Sequence, residues 1–176
     1  MLEVVDNYLG EHALESGTLP VRLEQVELRS VIATAVQLHG PSARMKNQRL
    51  EAMEGPEVRV HADAVLLAQV LDNFISNALK FSPEGATVWL ALAEAPAVGR
   101  ARVEVIDEGP GVSEADRGKL FRKYGLANAR STAGERSHGM GLAVAKRVAE
   151  AMGGQVGCDS EPGAGAVFWV SLPVRP

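Results

Sequence analysis

The rhythm of polar and apolar positions changes several times along the chain, and each change marks an element. Leu2, Val5, Leu9 and Leu14 follow a loose helical spacing that Ser16 and Gly17 stop, which predicts a short N-terminal helix. After Pro20, VRLEQVEL alternates like a half-buried strand, and Leu28 to Leu38 continues as an amphipathic helix through Val31, Ile32, Ala35 and Val36. Arg49 to Met53 and Val58 to His61 read as two short strands around the turn EGP. Asp63 then stands where a carboxylate can accept the free N–H groups of a long helix, Ala64 to Phe81, which Pro83 ends.

The second half of the chain is richer in strands. Thr87 to Leu92 and Arg102 to Asp107 have the strongest strand patterns and are joined by a loop of hairpin character, so the sheet they enter is predicted to be mixed. From Asp107 to Gly139 the chain is rich in glycine and small polar residues, apart from a helical turn around Asp116 to Phe121, and long stretches of this kind are functional or mobile. A helix from Met140 to Met152 sets Leu142, Ala145, Val148 and Met152 on one face before Gly153-Gly154. Gln155 to Cys158 and Ala166 to Leu172 close the pattern as a hairpin around EPGAG.

Composition narrows the function classes. With 176 residues and 46% hydrophobic content the chain can bury one sizeable core. A net charge of -4 disfavours a sequence-wide grip on nucleic acid or on anionic lipid. One cysteine, Cys158, makes neither an internal disulfide nor a multi-cysteine zinc site. No apolar run approaches the ~18 residues of a membrane span, so no direct membrane contact and a cytoplasmic location are expected.

Three groups of residues suggest chemistry. Asn73, Asn77 and Lys80 are spaced four and three apart, which lines two amides and an ammonium along one helical face. Amide oxygens suit Mg²⁺ and a lysine suits the phosphates that share it, although the same spacing also describes an ordinary solvated stripe. In RVEVIDEGPG, strand alternation puts Asp107 on the face of Val103 and Val105, so its carboxylate needs a donor such as a purine amino group. Gly109 and Gly111 would let the backbone approach a base, and D-x-G-P-G equally suits a plain turn. Gly139 and Gly141 open a helix, where exposed N–H groups attract polyphosphate, and Arg130 and Arg136 precede them. His138 has no second ligand at metal spacing and is read as a loop residue.

In this order the three groups resemble the ATP-binding catalytic domain of bacterial sensor histidine kinases, within the wider family that includes gyrase and Hsp90. DNFISNALKFSP resembles the N box, DEGPGV the G1 box, LFRKYG the F box and HGMGLAVAKRV the G2 box, and GAGAVFWVSLP resembles the closing strands. The resemblance covers Leu19 to Pro173, and residues 1–18 look like the end of a dimerisation helix and a linker, which leaves 19–176 as the catalytic domain. It implies an α+β fold, a two-layer α/β sandwich (the Bergerat fold) with a mixed sheet of about five strands against about three helices and a mobile ATP lid. It also implies ATP and Mg²⁺ as cofactors, with Asn77 on the metal, Asn73 and Lys80 on the phosphate side as the catalytic set, and Phe81 at the nucleotide's edge. Asp107 would take the adenine amino group in a pocket shaped by Gly109 and Gly111. Tyr124 to His138 would form the lid anchored by Phe121, and Gly139, Met140, Gly141 and Leu142 would lie near the phosphates.

The implied function is transfer of the γ-phosphoryl group to a histidine on the protein's own dimerisation helices, with a response regulator downstream in a two-component phosphorelay. Ser137 and Met140 depart from the family's G2 pattern of glycine and leucine, and the phosphoacceptor motif is absent, since His12 in EHALES does not fit it. A binding-only module that holds nucleotide or docks on a partner is therefore the alternative. Asn73 occupies the place where ATP-hydrolysing relatives carry a glutamate, and an amide is no general base, so hydrolysis as the main task is disfavoured.

Overall fold

A strand of only four residues comes first among the described elements. In the computed structural model, which describes residues 19–94, 99–123 and 140–175, β1 (Glu24–Glu27) runs directly into α1 (Leu28–Met45). Strands β2 (Arg49–Ala52) and β3 (Arg59–Ala62) lead to α2 (Ala64–Phe81), followed by β4 (Thr87–Glu94) and β5 (Arg100–Asp107). A single turn, α3 (Glu114–Arg117), precedes α4 (Gly141–Ala151), β6 (Gln155–Ser160) and β7 (Ala166–Pro173). The predicted helix Leu2 to Leu14, the lid Tyr124 to His138, and Gly139 lie outside the described residues.

The main sheet has the order β2-β4-β5-β7-β6. Only β2 and β4 are parallel, and the other pairs are antiparallel. The expected mixed sheet of five strands is therefore present. Alternation along each strand sends Val88 and Leu90, Val103 and Val105, and Phe168, Val170 and Leu172 into one core with α1, α2 and α4. On α2, Leu67, Val70, Leu71, Phe74, Ile75 and Ala78 are buried at helical spacing, which makes this helix the centre of the layer. Phe74 meets Phe168 of β7 at 5.8 Å between ring centroids. The opposite sheet face carries Arg102, whose guanidinium lies 4.5 Å from the Trp169 ring centroid and pairs with Glu104 and Asp159.

Asp63 caps α2 as its position suggests. One carboxylate oxygen accepts from the N–H groups of Val65 and Leu66 and the other from Arg22, so the cap also ties down the chain entering β1. Such a cap contributes about 1 kcal/mol.

Several boundaries differ from the sequence pattern. Helix α1 continues past Gly40 and Pro41 to Met45 instead of stopping at Leu38, because the extra turns bury Ala43 to 1% exposure. The proline removes one N–H, and burial beyond it outweighs that loss. The VRLEQVEL strand is confined to Glu24–Glu27, the length that its partner β3 offers. Strands β2 and β3, which flank EGP, do not pair with one another: β2 joins β4, and β3 joins β1 in a separate two-stranded sheet. Strands β4 and β5 reach further than expected, to the pair Glu94 and Ala101. The helical turn of α3 lies earlier than Asp116 to Phe121 because the Ser113 hydroxyl accepts the N–H of Asp116 and starts it there.

Candidate nucleotide-binding site

The site gathers where the C-terminal half of α2, the end of β5 and the start of α4 converge. Asn73 is half-buried, and its amide nitrogen donates to the carbonyl of Gln69 at 3.0 Å. Its Oδ1 faces Gly141, where a Cβ would collide with it. The glycine at the start of α4 thus leaves room for the Asn73 amide, which a side chain there would displace. Asn77, one turn on, is half-buried and its amide makes no hydrogen bond among the described residues. Lys80 is 8% exposed, with its ammonium 5.8 Å from the Phe81 ring centroid.

Phe81 joins this row to the second group. A Cβ on Gly109 would press on both the carbonyl of Phe81 and the carboxylate of Asp107, so a side chain there would disturb the loop after β5 where it lies against the end of α2. Asn73 and Phe81 are eight residues apart on the helix, a rise of about 12 Å, comparable to the span of a nucleoside polyphosphate.

Asp107 is the chemical centre of the second group. It is 6% exposed, and Oδ1 accepts from the N–H groups of Gly109 at 2.8 Å and Ala166 at 3.2 Å. Its Oδ2 takes no hydrogen bond from the described residues. Burial pushes the carboxyl up to about 6, while the two N–H groups pull the other way. A buried carboxylate with one oxygen fixed and the other unspent is a ready acceptor for an exocyclic amino group. That unspent oxygen fits adenine, and the unpaired amide of Asn77 fits Mg²⁺.

Backbone contacts position this carboxylate. Gly111 has φ +70°, and a side chain there would strike the carbonyl of Glu161 in the β6–β7 turn. Gly165 has φ +75°, and a side chain there would strike the carbonyl of Asp107. Phe121 lies edge-on to Phe168, with ring centroids 6.4 Å apart, which ties the chain to β7 three residues before Tyr124. Met140 caps α4 through its carbonyl, which accepts from Val144, and Leu142 packs against the core. The structure thus brings Asn73 to Gly141, and Phe81, Gly109 and Asp107 to one another.

The sequence reading misses several groups. Ala166 contributes a backbone N–H, which no residue type advertises. Glu108 accepts the N–H of Thr87 at 2.7 Å and so ties the loop after β5 to the start of β4. Cys158 on β6 is close enough to feel the Asp107 charge, and burial first, then Asp107 and Asp159, push its thiol up to about 12. Asp72, the residue before Asn73, turns to α1 and meets His39 Nε2 at 2.8 Å. It is therefore engaged away from the Asn73 face.

Comparison with known proteins agrees with this fold. Residues 62–176 match the family described as histidine kinase-, DNA gyrase B- and HSP90-like ATPase. Sensor protein GacS of Pseudomonas syringae pv. syringae is 32% identical over 176 residues, covering 98% of this chain and 19% of that protein. Sensor-like histidine kinase SenX3 of Mycolicibacterium smegmatis is 30% identical over 157 residues, covering 88% of this chain and 40% of that protein. The chain therefore spans well under half the length of these relatives. Among solved structures, full-length ShkA in complex with AMPPNP superposes with a TM-score of 0.79 at 32% identity, over 97% of this chain and 36% of ShkA. The catalytic domain of histidine kinase ThkA shares the fold, with a TM-score of 0.72 at 22% identity over 88% of this chain and 99% of that domain. With residues 62–176, more than half of the chain, matching this family and a relative 32% identical over 98% of the chain, the chain belongs to the histidine kinase-, DNA gyrase B- and HSP90-like ATPase family.

Proposed function

We propose that this chain is the ATP-binding catalytic part of a sensor histidine kinase, which moves the γ-phosphoryl group of ATP to a histidine on a dimerisation domain. The observation that carries adenine recognition is Asp107, held by two N–H groups through Oδ1 and free to accept at Oδ2. Guanine presents a carbonyl where adenine presents its amino group, so acceptor would face acceptor. Asn77 would hold Mg²⁺, which supplies neutralisation of polyphosphate charge. Asn73 and Lys80 would meet the phosphate side, and Gly139, Met140, Gly141 and Leu142 would lie near the phosphates.

Kinase chemistry fits these groups better than hydrolysis. The Asn73 amide is no base, and Asp72 is held by His39. Transfer to imidazole needs positioning more than a base: the ring nitrogen forms the N–P bond, the bond to the β-phosphate oxygen breaks, and ADP leaves. The imidazole proton passes to solvent. The likeness to the histidine kinase SenX3 supports a histidine acceptor, placed on dimerisation helices of which residues 1–18 would be the end. The fold shared with ThkA, solved in complex with the response regulator TrrA, is consistent with a response regulator as the later recipient.

The test supplies those helices separately and follows radiolabel from ATP into an acid-labile, base-stable phosphohistidine. Transfer is expected with the chain as it stands and is expected to vanish in Asn77→Ala, while a change at His12 leaves it intact. Tight adenine-nucleotide binding with no transfer at high concentrations of both pieces would assign the chain to the binding-only class.

A further inference from the structure

The geometry points to Ser160 as a positioning residue for adenine recognition, through which the β6–β7 turn holds the loop that aims Asp107. This deepens the reading of the site as an adenine pocket and rests on it. Ser160 is the last residue of β6 and is not among the residues placed on the nucleotide above. Its hydroxyl is used twice: it accepts the N–H of Val112 at 2.9 Å and donates to the carbonyl of Gly165 at 2.6 Å. Val112 ends the glycine loop that follows Asp107, and Gly165 precedes Ala166. One side chain therefore joins the two segments whose N–H groups fix Asp107 Oδ1.

Neighbouring contacts sharpen this role. The N–H of Gly163 donates to the carbonyl of Pro110 at 2.7 Å, so the turn also grips the loop from above its centre. A side chain at Gly111 or Gly165 would collide with the opposing carbonyl of Glu161 or Asp107, so the lack of a Cβ lets the two segments lie this close. In this arrangement one donor to Asp107 is its near neighbour Gly109 and the other, Ala166, lies 59 residues from it in the chain, and Ser160 is the side chain that bridges the two segments. Without the hydroxyl, Val112 N–H and Gly165 C=O lose their common partner and the loop is free to part from the turn. Asp107 Oδ1 would then lose the regular pair of donors that leaves Oδ2 turned to the base.

The experiment compares the parent chain with Ser160→Ala and Ser160→Thr, using ADP and GDP titrated in a calorimeter and amide hydrogen exchange by NMR. Ser160→Ala should weaken ADP binding about tenfold, the effect of one lost hydrogen bond on a charged acceptor, and narrow the preference for ADP over GDP. Exchange should quicken at Gly109, Val112 and Ala166 while the β4–β5 amides keep their protection. Ser160→Thr, which retains the hydroxyl, should restore both readings. ADP affinity within twofold of the parent would overturn the inference while leaving the adenine pocket standing. So would exchange that quickens equally across the whole sheet, since that marks general destabilisation. A parent chain that binds no adenine nucleotide would overturn the pocket and this role together.

Discussion

Replacing Asp107 with asparagine should stabilise the nucleotide-free fold while weakening its hold on adenine. Burial raises the carboxyl from 3.8 to about 6, because the Gly109 and Ala166 N–H groups offset only part of the lost hydration. One pKa unit corresponds to about 1.4 kcal/mol, so keeping the ionised carboxylate in this position costs about 3 kcal/mol. The folded state holds the proton more tightly than the unfolded chain, so stability falls as pH rises from about 4 to about 6. Above that window the full cost is present, and below it the cost is gone. Asparagine carries no charge and keeps a carbonyl oxygen for the two N–H groups, so its gain should approach about 2–3 kcal/mol near pH 7.5 and fade towards pH 4. Urea unfolding of both proteins across that range reads the difference, and calorimetry with ADP on the same samples should show weaker binding to the variant at about pH 7.5. In the parent, ADP affinity should itself decline as pH drops through about 6, as Asp107 takes up its proton. An asparagine variant less stable than the parent near pH 7.5, or a gain that is equally large near pH 4, would refute the reasoning.

Gly165→Ala should destabilise the fold by about 2–4 kcal/mol, since it combines a positive φ with a collision against the Asp107 carbonyl, and urea midpoints would show it. The Cys158 thiol, pushed up to about 12, should resist alkylation near neutral pH in the folded protein and react on unfolding, as mass spectrometry after iodoacetamide would record.

Much of the scaffold was written in local patterns. Helix α2 is announced by buried positions from Leu67 to Ala78 at helical spacing, by Asp63 before it and by Pro83 after it. The same residues carry Asn73, Asn77 and Lys80, so half of the candidate site came with the helix. Partner choice was not legible for β2 and β3, because alternation reports which face a residue occupies and says nothing of the strand beside it. The length of α1 was hidden by Pro41, a local penalty that burial of Ala43 overrides. The supporting half of the proposed adenine pocket was hidden for a different reason. Ala166 and Gly109 act through backbone N–H groups, and Ser160 through a hydroxyl that meets residues distant in sequence. The glycines of GAGAVF are visible in the sequence, but the collision that requires Gly165 is with Asp107, far back in the chain.

The direct pairing of Asp107 with Ala166 across β5 and β7 has a consequence for how the protein assembles. Hairpins β4–β5 and β6–β7 each join neighbours in sequence and can form early, whereas the β5–β7 seam must close a loop of 59 residues and bears the entropy of doing so. The pocket comes into existence only when that seam shuts, because its carboxylate is on one side and one of its two aligning N–H groups is on the other. A nucleotide seated there would bind the closed form alone and favour it by mass action. Ligand would then act as a clasp on the slowest-forming joint of the sheet, so its presence should make the C-terminal hairpin the last part to open instead of the first.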